Sequence, residues 1–433
     1  MSRALSLKLI FLLLFIFNLN GQNQEASFLI GNKLPDAPIL SSKGEHKVGV
    51  KTVHLVHYNQ IDILNSLRDK DSIYDRPLTV EIWYPARLSE GESEEVIYEE
   101  VMGNFGDPDR PLIPFTFTGK ASRDAKPETS GGPYPLIIVS HGYTGSRYLM
   151  TYLTENLASK GYVVVAIDHT DSTFRDAAGF NSTLLNRSLD DLFILNEIDR
   201  LSKVPDSFMT GLVNTNSTGL IGYSMGGYGA LNVAGGGYSK LATGFFASMS
   251  KGNKALEKRM MGNPEFINSF DSRIKAVVAM APWGMERGVW DVKGLEGIKI
   301  PTFYIAGSKD DISGYEKGIK AIYQGAINSD RYLLTYENAR HNIAPNPPPA
   351  VASMPGLHID EYLRYADSVW DQRRINNINQ HFITAFLGIK LKNKTEYSPY
   401  INAQELKNQD PWEGFLPRTS VGLELLHEKA NSF

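Results

Sequence analysis

The sequence contains no cysteine. That excludes disulfide staples, thiolate metal sites and a cysteine nucleophile together. A surplus of one charge is missing too: 44 Lys and Arg stand against 48 Asp and Glu, a formal net charge of −4. The two signs are mixed and form no basic stripe, which argues against a nucleic-acid partner. Long apolar runs are scarce. The first, Leu9 to Phe17 in MSRALSLKLIFLLLFIFNLNGQNQ, follows two cations and is too short to span a bilayer stably. It reads as a secretory signal over residues 1–21, cut near Gly21. No later run is long enough to cross a membrane, so the mature chain is expected to have no stable membrane span. The expected destination is the periplasm or the outside of the cell. With no cysteine after the run, a lipid anchor is not expected.

What is present is an ordinary globular composition, 42% hydrophobic and 21% charged over 433 residues, enough for a sizeable core. PLTVEIWYP (77–85) alternates like a strand. PLIIVSHG (135–142), YVVVAIDH (162–169), GLIGYS (219–224), IKAVVAMAP (274–282), PTFYIAGS (301–308) and RYLLTYENA (331–339) read as strands buried on both faces. Helix-like stretches lie between and after them, at 146–160, 187–203, 226–234, 313–325 and 373–391. Strands alternating with helices imply an α/β domain over 22–433, with a mostly parallel central sheet flanked by helices. Two segments break the rhythm, 87–134 and 236–272. They read as rim insertions forming a partial cap. Residues 396–433 form a C-terminal extension, whose Trp412, Phe415 and Leu416 are expected to pack on the core.

Gly222-Tyr223-Ser224-Met225-Gly226 is a G-x-S-x-G at a strand-to-helix turn. Such an elbow holds the serine in a strained conformation that lifts its hydroxyl clear of the sheet. The flanking glycines let strand and helix approach, and the helix N-terminus favours developing negative charge. A serine hydroxyl needs a base. On this arrangement an acid and then a histidine follow the serine in the chain. Of His341, His358, His381 and His427, only His341 stands on a loop just past a strand, in YENARHNIAP. Asp310 follows the preceding strand, in PTFYIAGSKDDISG, and is taken as the acid that orients His341. Asp311 is the substitute, and either could instead cap the next helix. The oxyanion donors are expected to be the backbone N–H groups of Met225 and of Tyr143, in IIVSHGYTGSR. His141 shapes that loop. The carboxylates of DHTDST (168–173) read as turn ligands, so no metal site is expected.

These motifs resemble those of the α/β-hydrolase serine esterases. The order RPLTVEIWYPA, YPLIIVSHGYTGSR, LASKGYVVVAIDHTDST, IGYSMGGYGAL, SRIKAVVAMAPWG and INQHFITAFL looks most like the platelet-activating-factor acetylhydrolase and predicted dienelactone hydrolase group. The resemblance implies Ser224 as nucleophile, supports Asp310 and His341, and implies ester hydrolysis without a metal or organic cofactor. Dienelactone hydrolases proper use a cysteine, which this chain lacks. GYT, SMGG and APW are also similar to cutinase-like polyesterases, where the positions of Tyr143 and Trp283 flank the acyl group. The expectation is a secreted carboxylic-ester hydrolase acting on small or lipid-like acyl esters. A polymeric or aromatic ester substrate is the alternative. A serine peptidase or acyltransferase on the same scaffold, and an inactive hydrolase-like binding protein, are the further alternatives.

Overall fold

The computed structural model describes residues 30–401, 405–407 and 410–431. The expected signal segment and its cleavage point lie outside them. Strands β1 (Lys47–Ile61) and β2 (Ile73–Arg87) form a long antiparallel pair. β3 (Val96–Met102) and β4 (Ile113–Gly119) make a separate hairpin. The two-residue strands β5 (Ser122–Arg123) and β6 (Lys126–Pro127) brace β1 and β2. β7 (Tyr134–Ser140), β8 (Val163–Asp168), β9 (Val213–Tyr223), β10 (Ile274–Met280), β11 (Thr302–Gly307) and β12 (Arg331–Tyr336) form the parallel body. β13 (Glu405–Leu406) and β14 (Leu423–Glu428) finish one edge, β14 antiparallel to β12. The order across the main sheet is β13-β14-β12-β11-β10-β9-β7-β8-β2-β1-β5.

The parallel strands read as apolar runs because helices cover both faces. Leu136, Ile137, Ile221, Val277, Val278, Phe303 and Leu333 are fully buried. The covering helices include α1 (Thr151–Ser159), α2 (Phe180–Lys203) and α3 (Met225–Val233). The long helix Gln372–Lys392 turns Ile375, Ile378, Phe382 and Phe386 into the core. It starts where Asp371 accepts a hydrogen bond from the Arg373 N–H and ends at Asn393, which is left-handed at φ 55°. The architecture is thus a mostly parallel sheet between helical layers. The chain runs from β7 out to β8, then returns past β7 to β9. That reversal opens a crevice at the carboxyl ends of β7 and β9, the place where ligands bind in open α/β sheets.

Residues 87–134 carry the β3–β4 hairpin. Its Tyr98 and Phe117 pack on Tyr148, and the Tyr98 hydroxyl donates to Glu155 (2.8 Å) while accepting from the Trp83 indole (2.8 Å). Residues 236–272 hold α4 (Lys240–Met249) and a short helix Pro264–Asn268. They seat Tyr238 flat on Tyr228, with ring centroids 4.8 Å apart. In the C-terminal extension Trp412 is buried and Phe415 packs against the core, whereas Leu416 is exposed.

Candidate active site

Ser224 sits at φ 52°, ψ −111°, between β9 and α3. Few L-residues hold that conformation without surrounding support. Here the Ser224 N–H donates to Met280 O (2.9 Å), and its carbonyl accepts from Tyr228 N (3.0 Å) and Trp283 N (3.1 Å). The glycines on either side are dictated by space. A Cβ on Gly222 would lie 2.2 Å from Gly226 O, and one on Gly226 would lie 2.0 Å from Ser140 O. Met225 is the first residue of α3, where an N–H has no partner inside the helix.

His341 follows β12 and comes to the serine from the far side of β10 and β11. Its Nε2 is 3.0 Å from Ser224 Oγ, and its Nδ1 is 2.8 Å from Asp310 Oδ2. The Asp310 carboxylate is fully buried. Its other oxygen accepts the N–H groups of Ile312 (2.9 Å) and Ser313 (2.8 Å). One residue therefore both caps the turn and holds the imidazole, two tasks the sequence left divided between neighbours. Asp311 is turned away from the imidazole, is exposed at the cavity rim and pairs with Arg340. Tyr223 backs the imidazole at 5.3 Å, and its hydroxyl donates to Asn342 Oδ1 (2.7 Å), next to His341 in the chain. The other late histidines are engaged elsewhere: His358 caps Ile359–Leu363, His427 faces Asp330, and His381 is buried against Leu40 N. Burial lowers the His381 pKa to about 3, which keeps it neutral.

The loop after β7 brings Gly142 and Tyr143 beside the serine. Buried Arg187, from α2, donates to the carbonyls of His141 and Gly142 and to Ser172 Oγ. A peptide C=O and the next N–H point opposite ways. Anchoring Gly142 O on Arg187 therefore sets the Tyr143 N–H on the opposite side of that peptide, away from Arg187. Burial lowers the Arg187 pKa to about 9, leaving it charged at neutral pH. Burial also holds His141 well below its usual pKa, so it is a neutral ring whose Nδ1 lies against Gly142 O. Behind it His169 spans Ser140 Oγ (2.8 Å) and Asp190 (2.9 Å), and Asp190 is clamped by Arg76. Arg187 went unnoticed in the sequence because it lies inside a helix, 45 residues from Gly142 in the loop it holds.

Ser224 and His341 open onto a cavity of about 380 Å³, within the range of small-molecule sites. Its walls include Tyr143, Thr144, Leu149, Phe174 and Pro345. Arg110, from the turn between β3 and β4, reaches the cavity and pairs with Asp360 and with buried Glu361. The segment 342–371 supplies much of the wall, including Leu363 and Arg364, a role that no motif in the sequence marks. Residues 236–272 contribute no lining residue. Tyr143 and Trp283 do not touch. Phe180 meets both edge-on, at 5.3 and 5.4 Å, and Trp283 is half-buried behind it, outside the cavity lining. Among the described residues no group of three or more His, Asp or Glu is placed to hold a metal ion. Asp168 and Asp171 of the β8 loop pair with Arg147 and Arg76.

Sheet order, elbow and crevice define an α/β-hydrolase fold. Ferulic acid esterase from Streptomyces cinnamoneus superposes with a TM-score of 0.53 at 18% identity, covering 82% of this chain and 93% of that one. Residues 121–245 match the family described as PETase, PET hydrolase-like. Cutinase est1 of Thermobifida alba is 27% identical over 214 residues, covering 49% of this chain and 55% of the relative. Bis(hydroxyethyl) terephthalate hydrolase of Streptomyces coelicolor is 24% identical over 219 residues, covering 50% and 53%. The chain thus spans about half the length of the curated relatives it matches.

Proposed function

We propose that this protein is an exported serine carboxylic-ester hydrolase acting on small or lipid-like acyl esters. Ser224 Oγ attacks the ester carbonyl while His341 Nε2 takes its proton. Asp310 holds the Nδ1–H tautomer and stabilises the imidazolium. The Met225 and Tyr143 N–H groups bind the oxyanion. On collapse the carbon–oxygen bond to the alcohol breaks, and His341 returns the proton to the departing alcohol. Water, deprotonated by the same imidazole, then releases the acid and restores Ser224. No step calls on a metal or organic cofactor.

The observation that carries this reading is the unbroken hydrogen-bond chain from a strained elbow serine through His341 to a buried Asp310, at the wall of a cavity. Similarity to cutinases and to a terephthalate-ester hydrolase supports an ester over a peptide substrate, and over an inactive binding role. The test is hydrolysis of a p-nitrophenyl ester series from acetate to decanoate. Turnover that disappears in Ser224→Ala with folding retained is the expected result. Absence of turnover on every ester would leave the binding-protein reading.

A polyester or bulky aromatic ester is the second reading, favoured by the same relatives. Phe180 stands between Tyr143 and Trp283, the two rings that reading needs to flank a substrate. Soluble monoesters are therefore expected to outpace a polyester film. Film erosion at a rate comparable to soluble turnover would reverse that order. The acetylhydrolase likeness belongs to the same proposal, and the acyl-length series tests it.

A further inference from the structure

The cavity beside Ser224 is lined by three guanidinium groups, Arg110, Arg340 and Arg364, and by two carboxylates, Asp311 and Asp360. Two of the arginines are matched. Arg340 holds Asp311, and Arg110 holds Asp360 together with Glu361 behind the wall. Arg364 is not. Among the described residues no carboxylate lies within ion-pair distance of it. Its Nη1 donates to Thr144 Oγ1 (3.0 Å), one residue past Tyr143, and its guanidinium carbon lies over the Phe174 ring, 5.0 Å from the centroid. Neither contact uses Nε or Nη2, the edge that takes a carboxylate in two parallel hydrogen bonds. Burial and then the neighbouring Arg110 pull the Arg364 pKa below the usual guanidinium value, with Glu361, Tyr365 and Asp360 opposing. A desolvated cation on a polar cavity wall, held by a ring and a hydroxyl with one donor edge free, is arranged to receive an anion.

We infer that Arg364 is a specificity-determining residue that binds a carboxylate on the substrate, so that the preferred substrates are esters bearing a free acid group. This rests on the ester-hydrolase reading above and narrows it to a substrate class. Half-esters of dicarboxylic acids, or esters of a carboxylated alcohol, place such a group at the far end of the molecule from the reacting carbonyl.

The test compares charged and neutral partners in the wild type and in Arg364→Gln. On the acyl side, the monomethyl esters of succinate, glutarate and adipate are set against their dimethyl esters. On the alcohol side, 4-acetoxybenzoate is set against its methyl ester. The quantity read is the charged-to-neutral ratio of kcat/KM, and the variant-to-wild-type change in that ratio cancels intrinsic reactivity. A charge-assisted hydrogen-bonded pair predicts a fall of about 10- to 100-fold in at least one arm. Arg364→Lys, which keeps the charge without the fork, retains part of the ratio, and Arg340→Gln leaves it within about threefold. A merely structural role for Arg364, through Thr144 and the loop, would slow both partners alike and leave the ratio unmoved. Neutral esters turned over by the wild type with a ratio unaltered by Arg364→Gln in both arms would overturn this inference and leave the esterase reading standing. No turnover of any ester, charged or neutral, would overturn the esterase reading and this one with it.

Discussion

Replacing Asp310 by Asn tests the relay at its most constrained point. The carboxylate makes three contacts: Oδ1 accepts from the N–H groups of Ile312 and Ser313, and Oδ2 faces His341 Nδ1. An asparagine keeps the first two by presenting its carbonyl oxygen to both amides. Its NH2 then points at His341 Nδ1 and donates to it. The imidazole is forced to carry its proton on Nε2, where it can no longer accept one from Ser224. The turn survives and the base is lost. The expected fall in kcat is about 10⁴-fold, roughly 5.5 kcal/mol in activation free energy. Asp311→Asn removes only an exposed pair with Arg340, worth at most about 1 kcal/mol, and is expected to leave kcat/KM within about fivefold. Initial rates on p-nitrophenyl butyrate, with Ser224→Ala as the floor and circular-dichroism melts as the folding control, measure all of these. Asp310→Asn retaining more than about a tenth of the activity, or Asp311→Asn sinking to the same floor, would refute the reasoning.

Ser224→Gly relieves a backbone strain of about 1–3 kcal/mol at an entropic cost of about 0.5–1. It is therefore expected to be inactive yet about 1 kcal/mol more stable to urea than Ser224→Ala; equal midpoints would contradict the strain. Arg187→Lys keeps a charge but loses the fork that anchors two loop carbonyls, and kcat is expected to fall about 10- to 100-fold with KM little changed. A change confined to KM would remove Arg187 from the positioning of the oxyanion loop. Burial pushes the carboxyls of Glu100 and Glu155 up to about 7 from an ordinary 4.5. The folded state then holds protons that the unfolded state has released. The contribution of these two groups to stability is full below about pH 4.5 and is lost as pH rises through 7, by up to about 3 kcal/mol per group. Glu155→Gln, whose carbonyl oxygen accepts the Lys120 N–H while its NH2 donates to the Tyr98 hydroxyl oxygen, is expected to flatten part of that fall; denaturation midpoints at pH 5, 6, 7 and 8 that drop as steeply as in the wild type would contradict it.

The parallel strands were legible because burial on both faces leaves apolar runs with no polar face to blur them. Ser224 and its glycines were legible because a turn with this little room admits few other residues. His341 stood out by elimination, on the loop after β12. The divided reading of Asp310 and Asp311 had a physical cause: capping and orienting both ask for a carboxylate at that turn, and only packing tells which faces inward. β1 escaped notice because its exposed His, Asn and Gln mask the alternation. α2 starts at Phe180 rather than near 187 because Asn181, Ser182 and Thr183, poor helix formers, are buried there. The stretch 342–371 is Pro-rich and aperiodic, so nothing local marks it as the wall of a cavity. Its partner Arg110 lies 251 residues away from Glu361, beyond the reach of any pattern in a window.

That clasp between Arg110 and Glu361 ties together two segments that lie far apart in the sequence. Closing so wide a loop costs entropy that local contacts do not repay. Serine, carboxylate and imidazole follow β9, β11 and β12 of one sheet, at shorter separations along the chain. The wall beside Arg364 is thus complete only where the β3–β4 turn meets a segment 251 residues further along the chain.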